Sequence, residues 1–302
     1  MRASLAALAL LALAAGCGST ESSAKRGAPR PGSLEALWRG SGESVALIPG
    51  TSDYSTGVLR ISFLVVDPRG RVVSPPRARV WIARSLRAKP FVETLARAEP
   101  VGIAGVSAGR DVTAIYVAHA RVSAPGRYYV LARPLGGKER IGGIRELFVR
   151  TTSRSPMVGS RAYPSRTPTL AGVHGRASFI TTRVPPDRGL LRYSVAGALA
   201  ADDPFVVTFA TPRYCVSRTC GPVVDVVNAA RKRYAHTRIR FIHVEIYAGN
   251  NPSKGPNRWV REWHLPGEPW TFLVGADGRI KAKFEGSMSL SELEGAIRRF
   301  LL

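Results

Sequence analysis

The chain has 302 residues, of which 45% are hydrophobic, and its formal net charge at pH 7 is +23. This length is enough for about two domains. The positive charge is dispersed, as in the stretch RGRVVSPPRARVWIARSLRAK, and is neither concentrated in one helix nor interleaved with stacking aromatic residues. We therefore expect no nucleic-acid partner, whereas a solvated Arg-rich surface or attraction to anionic lipid or wall polymer fits this distribution.

The N-terminus has the pattern of a bacterial export signal. A short basic start precedes an almost unbroken Leu/Ala run, which is too short to span a bilayer with margin. The run ends in LAAGC, which resembles the lipobox of bacterial lipoproteins, so residues 1–17 are predicted to be a lipoprotein signal peptide with Cys17 as the lipidation site. An ordinary secretory signal with an incidental cysteine is the alternative. Residues 18–32 are predicted to be a disordered tether, and the protein to be extracytoplasmic and lipid-anchored to the bacterial cell membrane.

Residues 33–150 have a strand-like pattern. The segments GVLRISFLVVD, RARVWIAR, DVTAIYVAHARV and GRYYVLARPL are rich in β-branched and aromatic residues, and clusters of turn-forming residues separate them. Several short strands at near-regular spacing, without a long helical period, predict an all-β immunoglobulin-like sandwich. This part of the sequence has no cysteine, and His119 is interpreted as a surface residue. A spacer or docking role is the default for such a domain.

Residues 151–185 are predicted to be a linker or entry segment, because TTSRSPMVGSRAYPSRTPTL is dense in Ser, Thr, Pro and Arg. Residues 186–302 then alternate between strands and helices. PFVVTFA and IRFIHVEIY are predicted strands, RGLLRYSVAGALA, VVDVVNAARKRYA and NRWVREW predicted helices, and PWTFLVGADGRIKAKFEG a hairpin. A capping box from Ser289 to Glu292 is predicted to start the closing helix. This order indicates an α/β layer with a mixed sheet.

Two cysteines remain in the exported chain once Cys17 carries lipid, with four residues between them in TPRYCVSRTCGP. Disulfides persist outside the cytoplasm, so Cys215 and Cys220 are predicted to form a disulfide or a redox dithiol. In an intact helix their α-carbons would be about 8–9 Å apart, beyond the limit of roughly 7 Å for a disulfide. Because proline is favoured at the first helical position, the helix is predicted to begin at Pro222 and to leave the two cysteines on a loop.

Three features between Arg154 and Leu302 resemble the thioredoxin-like superfamily, in its TlpA-like and peroxiredoxin-like branches. VGSRAYPSRTPTL is similar to the VGxxAPxFxL lead-in of these branches. A hydrophobic strand ends shortly before a cysteine that precedes a helix, and EPWTFLVGADGRI matches the segment in which a cis-proline faces the redox cysteines. The resemblance implies an α/β thioredoxin-like fold for the C-terminal domain and catalytic roles for Cys215, Cys220 and a cis Pro269.

The resemblance further implies an exported thiol–disulfide oxidoreductase that needs no metal or organic cofactor. Its partners would be protein thiols, protein disulfides or a small oxidant. The spacing of the cysteines is also similar to that of the Q-type peroxiredoxins, so a thiol peroxidase is an alternative, although Thr211 stands four residues before Cys215 where that family has Thr three before. Another alternative is a non-enzymatic envelope lipoprotein that uses a structural disulfide in binding or as a scaffold. A copper site that adds His243 or His264 to the two sulfurs is a further one.

The nucleophile of the pair is open between its two members. The short distance in sequence from the preceding strand favours Cys215 as the nucleophile. Tyr214 then stands where the family has an aromatic residue before its first cysteine. Proximity to the helix and the CGP wording favour Cys220. We take Cys215 as the nucleophile and Cys220 as the resolving residue. A helix N-terminus and the neighbouring Arg213 and Arg218 would lower the pKa of either thiol.

Aromatic and acidic residues surround Pro269 in the sequence. Trp259, Trp263 and Trp270 either line a substrate groove beside the cis-proline or pack in the core. Glu268 would influence the pKa of the thiol only if its side chain points inward.

Overall fold

Residues 28–39, 45–107, 112–136 and 143–302 are described by the computed structural model. The first eight strands are β1 (Ala46–Pro49), β2 (Tyr54–Ser55), β3 (Gly57–Val66), β4 (Arg77–Ala83), β5 (Val92–Pro100), β6 (Ala114–Val122), β7 (Gly126–Leu135) and β8 (Gly143–Arg150). The later strands are β9 (Phe205–Phe209), β10 (Arg240–Val244), β11 (Trp270–Val274) and β12 (Ile280–Glu285). The α-helices are α1 (Leu34–Trp38), α2 (Val195–Ala200), α3 (Cys220–Arg233), α4 (Arg258–Glu262) and α5 (Leu290–Phe300). Single 3-10 turns lie at Ala177–Phe179, Arg188–Leu191, Ala248–Asn250 and Pro252–Lys254.

The first eight strands form one curled sheet in the order β1-β3-β6-β5-β4-β7-β8-β2. Neighbouring strands are antiparallel, except for β2 and β8, which are parallel. Leu59, Ile61 and Phe63 of β3 face the enclosed core, because alternate side chains of a strand point to the same face. The sheet curls until β1 lies against the start of β8. A Cβ on Gly143 would be 2.7 Å from Leu47 Cγ, so only glycine fits at this approach.

The expected fold class, an α/β thioredoxin-like fold preceded by an immunoglobulin-like sandwich, is wrong. The described residues form a mostly β structure, with one eight-stranded half-barrel sheet, one four-stranded sheet and few helices. Alternating apolar and polar residues predict strands, but they do not tell whether the strands pair into one sheet or two, since both arrangements bury one face of each strand. The helix predicted in RGLLRYSVAGALA is also divided, into the 3-10 turn Arg188–Leu191 and the six-residue α2.

The four-stranded sheet has the order β10-β9-β11-β12. Strands β9 and β10 are parallel, whereas β11 is antiparallel to both β9 and β12. The central strands β9 and β11 are buried along their whole length, which explains why they are continuous apolar runs. One face packs against α3 and α5, and the other packs against α2 and α4. The predicted hairpin, the short helix α4 and the capping box that begins α5 are confirmed.

Polar contacts join the eight-stranded sheet to β12 and α5. Arg60 of β3 donates hydrogen bonds to both carboxylate oxygens of Glu292, at 2.8 and 3.0 Å. Glu285, at the end of β12, accepts the backbone N–H groups of Ser52 and Asp53 at 2.8 and 2.9 Å. These two carboxylates therefore bind the first half of the chain to the second.

No helix among the described residues is long and apolar enough to cross a membrane. The predicted signal peptide, residues 1–17, and its lipidation site Cys17 lie outside the described residues. The first part of the predicted tether, up to residue 27, lies outside them as well.

Phe272 tests the packing of the four-stranded sheet. Its side chain is fully buried, and its ring centroid lies 4.9 Å from that of Trp263. Phe272→Ala is expected to lower the free energy of unfolding by about 3–5 kcal/mol, because the truncation removes buried apolar surface and leaves a cavity. Phe179→Ala, at a ring that is 56% exposed, is the control and should change it by less than about 0.5 kcal/mol. Urea unfolding measures both, and equal losses would contradict the packing described.

Candidate functional site

The two cysteines lie at one end of the four-stranded sheet. Strand β9 ends at Phe209, which is paired with Trp270, the first residue of the antiparallel strand β11. The loop that leaves β9 and the residue that enters β11, Pro269, are therefore at the same end of the sheet. Parallel strand β10 finishes there too, because Phe209 is also paired with Val244. Sheet topology thus gathers the Cys215–Cys220 loop, Pro269 and the end of β10 at one edge.

Cys215 and Cys220 form the predicted disulfide, with their α-carbons 5.9 Å apart. Arg218 closes the loop between them: it has a positive φ of 57°, and its N–H donates to the carbonyl oxygen of Cys215 at 3.1 Å. The predicted helix start at Pro222 is wrong, because α3 begins at Cys220 with Thr219 as its N-cap. Proline is tolerated there since the first N–H groups of a helix have no carbonyl partner within it.

The two sulfurs have different surroundings. Cys220 is completely buried, whereas Cys215 is partly exposed. The Cys215 sulfur accepts the backbone N–H of Cys220 at 3.2 Å and lies 3.2 Å from the hydroxyl of Ser217. The N-terminus of α3 adds the partial positive charge of its unpaired N–H groups. All three features favour negative charge on the Cys215 sulfur when the disulfide is reduced.

Pro269 has the cis peptide bond that the sequence predicts, between Glu268 and Pro269. Its ring is buried, and its carbonyl oxygen accepts the N–H of Gly286 at 2.8 Å. A second cis bond, between Val184 and Pro185, was not predicted. The catalytic role of Pro269 stays a prediction.

Two titratable groups stand beside the loop. Burial raises the pKa of the Glu268 carboxyl above its ordinary value. The pKa of the Tyr247 hydroxyl is also raised, first by burial and then by the negative charges of Glu268 and Glu245. The Tyr247 ring meets that of Tyr214 edge-on, with 6.3 Å between centroids. Tyr214 precedes Cys215, so this contact links the disulfide loop to the end of β10.

Residues 181–183 lie in the predicted linker, but they have a structural role that the sequence pattern does not predict. The hydroxyl of Thr182 donates to the buried carboxylate of Glu245 at 2.8 Å and accepts the N–H of Arg213 at 3.2 Å. The N–H of Thr182 donates to the same carboxylate at 2.7 Å. This threonine therefore connects β10 to the loop that carries Cys215. A Ser/Thr-rich stretch read as a linker offers no signal for such a contact.

Helix α3 also contacts residues from the first half of the chain. Its buried residue Asp225 forms an ion pair with Arg183 and accepts the hydroxyl of Ser107 at 2.6 Å. Ser107 belongs to the loop after β5, where a Cβ on Gly102 would be 3.1 Å from the Cβ of Pro222. Ile103 of this loop packs against the core cluster that contains the buried cysteine. Residues 102–107, after β5, therefore cover the first turns of α3.

The histidines proposed for copper have other positions. His243 is buried, with Nε2 3.0 Å from the carbonyl oxygen of Ala210 and Nδ1 3.5 Å from the hydroxyl of Thr181, so neither nitrogen is directed at the sulfurs. His264 is exposed and lies edge-on to Tyr163. In the part of the chain that the structure describes, His, Cys, Asp and Glu form no group of three that could hold a metal ion.

The tryptophans are mostly packing residues. Trp263 and Trp270 are almost completely buried, and Trp263 Nε1 donates to the hydroxyl of Ser165 at 2.9 Å. Trp259 is partly exposed, and the guanidinium of Arg258 lies 4.9 Å from its ring centroid. Of the three, only Trp259 presents a face that a partner could contact directly.

Comparison of the chain with family models and with curated proteins finds no match in either case. The function therefore has to be inferred from the site itself. That site is a disulfide loop at a helix N-terminus, with a cis-proline at the same end of the sheet.

Glu268 predicts a pH dependence of stability. A carboxyl whose pKa is raised by folding binds its proton more tightly in the folded than in the unfolded chain. Its contribution to stability is therefore complete below the ordinary pKa of glutamate and is lost as the pH rises through the higher folded value. Glu268→Gln removes this titration, so the variant should gain stability relative to the native protein as the pH rises from 4 to 7.

Urea unfolding of the native protein and of Glu268→Gln across this pH range measures the difference in their free energies of unfolding. Titratable groups that the two proteins share cancel in this difference. Glu292→Gln is unsuitable as a control because it breaks the close, largely buried pair with Arg60. Glu146→Gln is used instead, because its ion pair with Arg127 is long, at 3.8 Å, and exposed, and such surface pairs contribute little to stability. A difference between native protein and Glu268→Gln that is constant with pH would contradict the prediction.

Proposed function

We propose that the protein is an exported, membrane-anchored thiol–disulfide oxidoreductase that uses Cys215 and Cys220 as its redox pair. The observation that carries the proposal is the disulfide at the N-terminus of the fourteen-residue helix α3, with one sulfur accessible and the other buried. Access decides which sulfur a partner thiolate can attack. Cys215 is therefore the nucleophile and Cys220 the resolving residue.

The exchange needs no cofactor. In the reduced protein, the Cys215 thiolate attacks a partner disulfide, whose S–S bond breaks; a mixed disulfide forms and one partner thiolate leaves. The Cys220 thiolate then attacks the Cys215 sulfur, the second partner thiolate leaves, and the Cys215–Cys220 bond forms again. Two electrons pass to the partner, which takes up two protons. The same steps in reverse oxidise a partner dithiol.

The loop supports the first step in two ways. The N–H of Cys220, the hydroxyl of Ser217 and the helix N-terminus surround the Cys215 sulfur with hydrogen-bond donors and partial positive charge. The Cα separation of 5.9 Å keeps the resolving cysteine within bonding distance. Formation of the Cys215–Cys220 bond from the mixed disulfide therefore requires little movement of the backbone.

The location follows from the start of the chain. LAAGC would place a lipid on Cys17 and leave an even pair of cysteines outside the cytoplasmic membrane. Protein thiols and disulfides, or a small oxidant, are the partners that such a pair would meet there.

Cysteine variants test the redox pair. Cys215→Ser should abolish catalysis of disulfide exchange, because the accessible sulfur is lost. Cys220→Ser should stop the reaction at the mixed disulfide, because nothing resolves it. The rate of reduction of a protein disulfide, with dithiothreitol as electron source, measures the first effect. For the second, reduced Cys220→Ser is freed of dithiothreitol, which would itself cleave the mixed disulfide, then mixed with the protein disulfide and analysed by non-reducing electrophoresis.

Val216→Ser is the matched control, because this side chain lies in the same loop and is largely exposed. It should keep most of the activity. Equilibration with glutathione buffers decides between exchange and a structural role: a potential below about −300 mV with an inert Cys215 would sink the proposal in favour of a structural disulfide. Rapid consumption of peroxide that Cys215→Ser abolishes would favour the peroxidase alternative.

Cys17 tests the membrane anchor. Expressed in a bacterium, the full chain is expected in the membrane fraction, with a lipid-modified cysteine at the N-terminus of the processed protein. Cys17→Ser should move it to the soluble extracytoplasmic fraction. Mass spectrometry and cell fractionation measure both, and an unmodified Cys17 in a soluble native protein would refute the anchor.

A further inference from the structure

A cavity of about 350 Å³ lies between the eight-stranded sheet and β12. From the first half of the chain it is lined by Asp53, Tyr54 and Arg60, among others. From the second half it is lined by Trp270 and Lys283, among others. Its volume is at the lower end of the range for small-molecule sites, so it would admit only a small compound.

Lys283 is the unusual residue of this cavity. Its Nζ donates to the hydroxyl oxygens of Ser153 and Ser155, at 2.6 and 2.8 Å, and lies 5.6 Å from the ring centroid of Trp270. No carboxylate among the described residues lies within 4.0 Å of this amine. A lysine held by neutral hydroxyls lacks the ion pair that normally keeps an ammonium protonated.

The charged groups around the amine are already bound to others. Asp53 accepts the N–H groups of residues 154 and 155, and Glu285 accepts those of residues 52 and 53. Arg60 is paired with Glu292. Burial lowers the pKa of Lys283, and the more distant charges of Asp53 and Glu285 oppose this only in part. More of the amine is therefore neutral near pH 8 than in an ordinary lysine.

We infer that Lys283 is a nucleophilic amine that captures small, neutral aldehydes or ketones in this cavity as an imine. The amine nitrogen attacks the carbonyl carbon, the resulting carbinolamine loses water, and a C=N bond forms. The products are the imine and one water molecule, so the step needs neither an oxidant nor a reductant.

Two further features of the cavity select the ligand. Asp53 and Glu285 contribute two negative charges to its wall against the single positive charge of Arg60, which is itself paired with Glu292. With a neutral Lys283, the lining therefore disfavours anionic oxo acids relative to neutral carbonyl compounds. Trp270 is almost completely buried, and its Nε1–H has no acceptor in the described part of the chain. Because this atom is itself buried, the Trp270 side chain is taken as an apolar part of the cavity wall and not as a donor to the ligand. A small, neutral aldehyde such as glycolaldehyde suits this lining.

Reductive trapping tests the inference on the native full chain. The protein is incubated with glycolaldehyde and cyanoborohydride at pH 7.5, and adducts are mapped by mass spectrometry after chymotryptic digestion. Lys281 is the internal control, because it lies two residues away on β12 and its Nζ is 2.6 Å from a carboxylate oxygen of Asp277. Lys283 should be trapped several-fold faster than Lys281, because burial lowers the pKa of the Lys283 amine and leaves more of it unprotonated at this pH.

This ratio should fall as the pH approaches 10.5, where ordinary lysines also lose their proton, and it should be smaller with glyoxylate, which is anionic. Lys283→Arg should lose the fast adduct, and Lys281→Arg should retain it, with near-ultraviolet circular dichroism as the check on folding. Trapping of Lys283 no faster than Lys281, or at a ratio independent of pH, would overturn the inference. A preference for glyoxylate would overturn the selectivity for neutral ligands. Neither result bears on the cysteine pair.

Discussion

The pairing of β9 with β11 is the interaction on which the proposed redox site depends. The hydroxyls of Thr208 and Thr271, directly opposite each other in this pair, are 3.0 Å apart. Their register sets Phe209 against Trp270, so the loop with Cys215 leaves the sheet where Pro269 enters it. A slip by one residue would turn every buried side chain of β11 to the opposite face of the sheet. Because both faces are packed, the register is strongly specified, and so is the position of the cis-proline.

The two halves of the chain meet on α3, the helix that begins with Cys220. Asp225 lies one turn beyond Pro222 and is bound by Arg183 from one side and by Ser107 from the other. A buried carboxylate with two partners resists displacement, since loss of either would leave its charge less satisfied. The half-barrel sheet therefore contributes to the position of α3. A spacer joined only through a linker would not do so, and the contact gives the first half of the chain a physical connection to the sulfurs.

Local features of the second half were predictable, whereas the assembly was not. The capping box at Ser289 and the hairpin follow from short patterns whose physical cause lies within a few residues. The cis bond before Pro269 was expected only from the resemblance of EPWTFLVGADGRI to a thioredoxin-like segment. The fold class depends on which strands pair, and the eight strands could equally have formed two sheets by the same alternation. The start of α3 was misplaced because a proline is acceptable at any position in the first turn, not only the first. Contacts such as that between Glu245 and Thr182 join residues 63 positions apart, and the local sequence of neither segment predicts them.

The adjacent residues Pro269 and Trp270 lie at the two different proposed sites. Pro269 stands at the sheet end that carries the disulfide loop, while the Trp270 side chain lines the cavity of Lys283. In both proposals the surroundings lower the free-energy cost of an unprotonated nucleophile, but by opposite means. Around Cys215, N–H and hydroxyl groups stabilise an anion. Around Lys283, burial without a carboxylate partner destabilises a cation. Hydrogen-bond donors thus favour the thiolate of Cys215, and the lack of a carboxylate partner favours the free amine of Lys283. Because different groups are responsible at each site, the chemistry of one can be altered without disturbing the other.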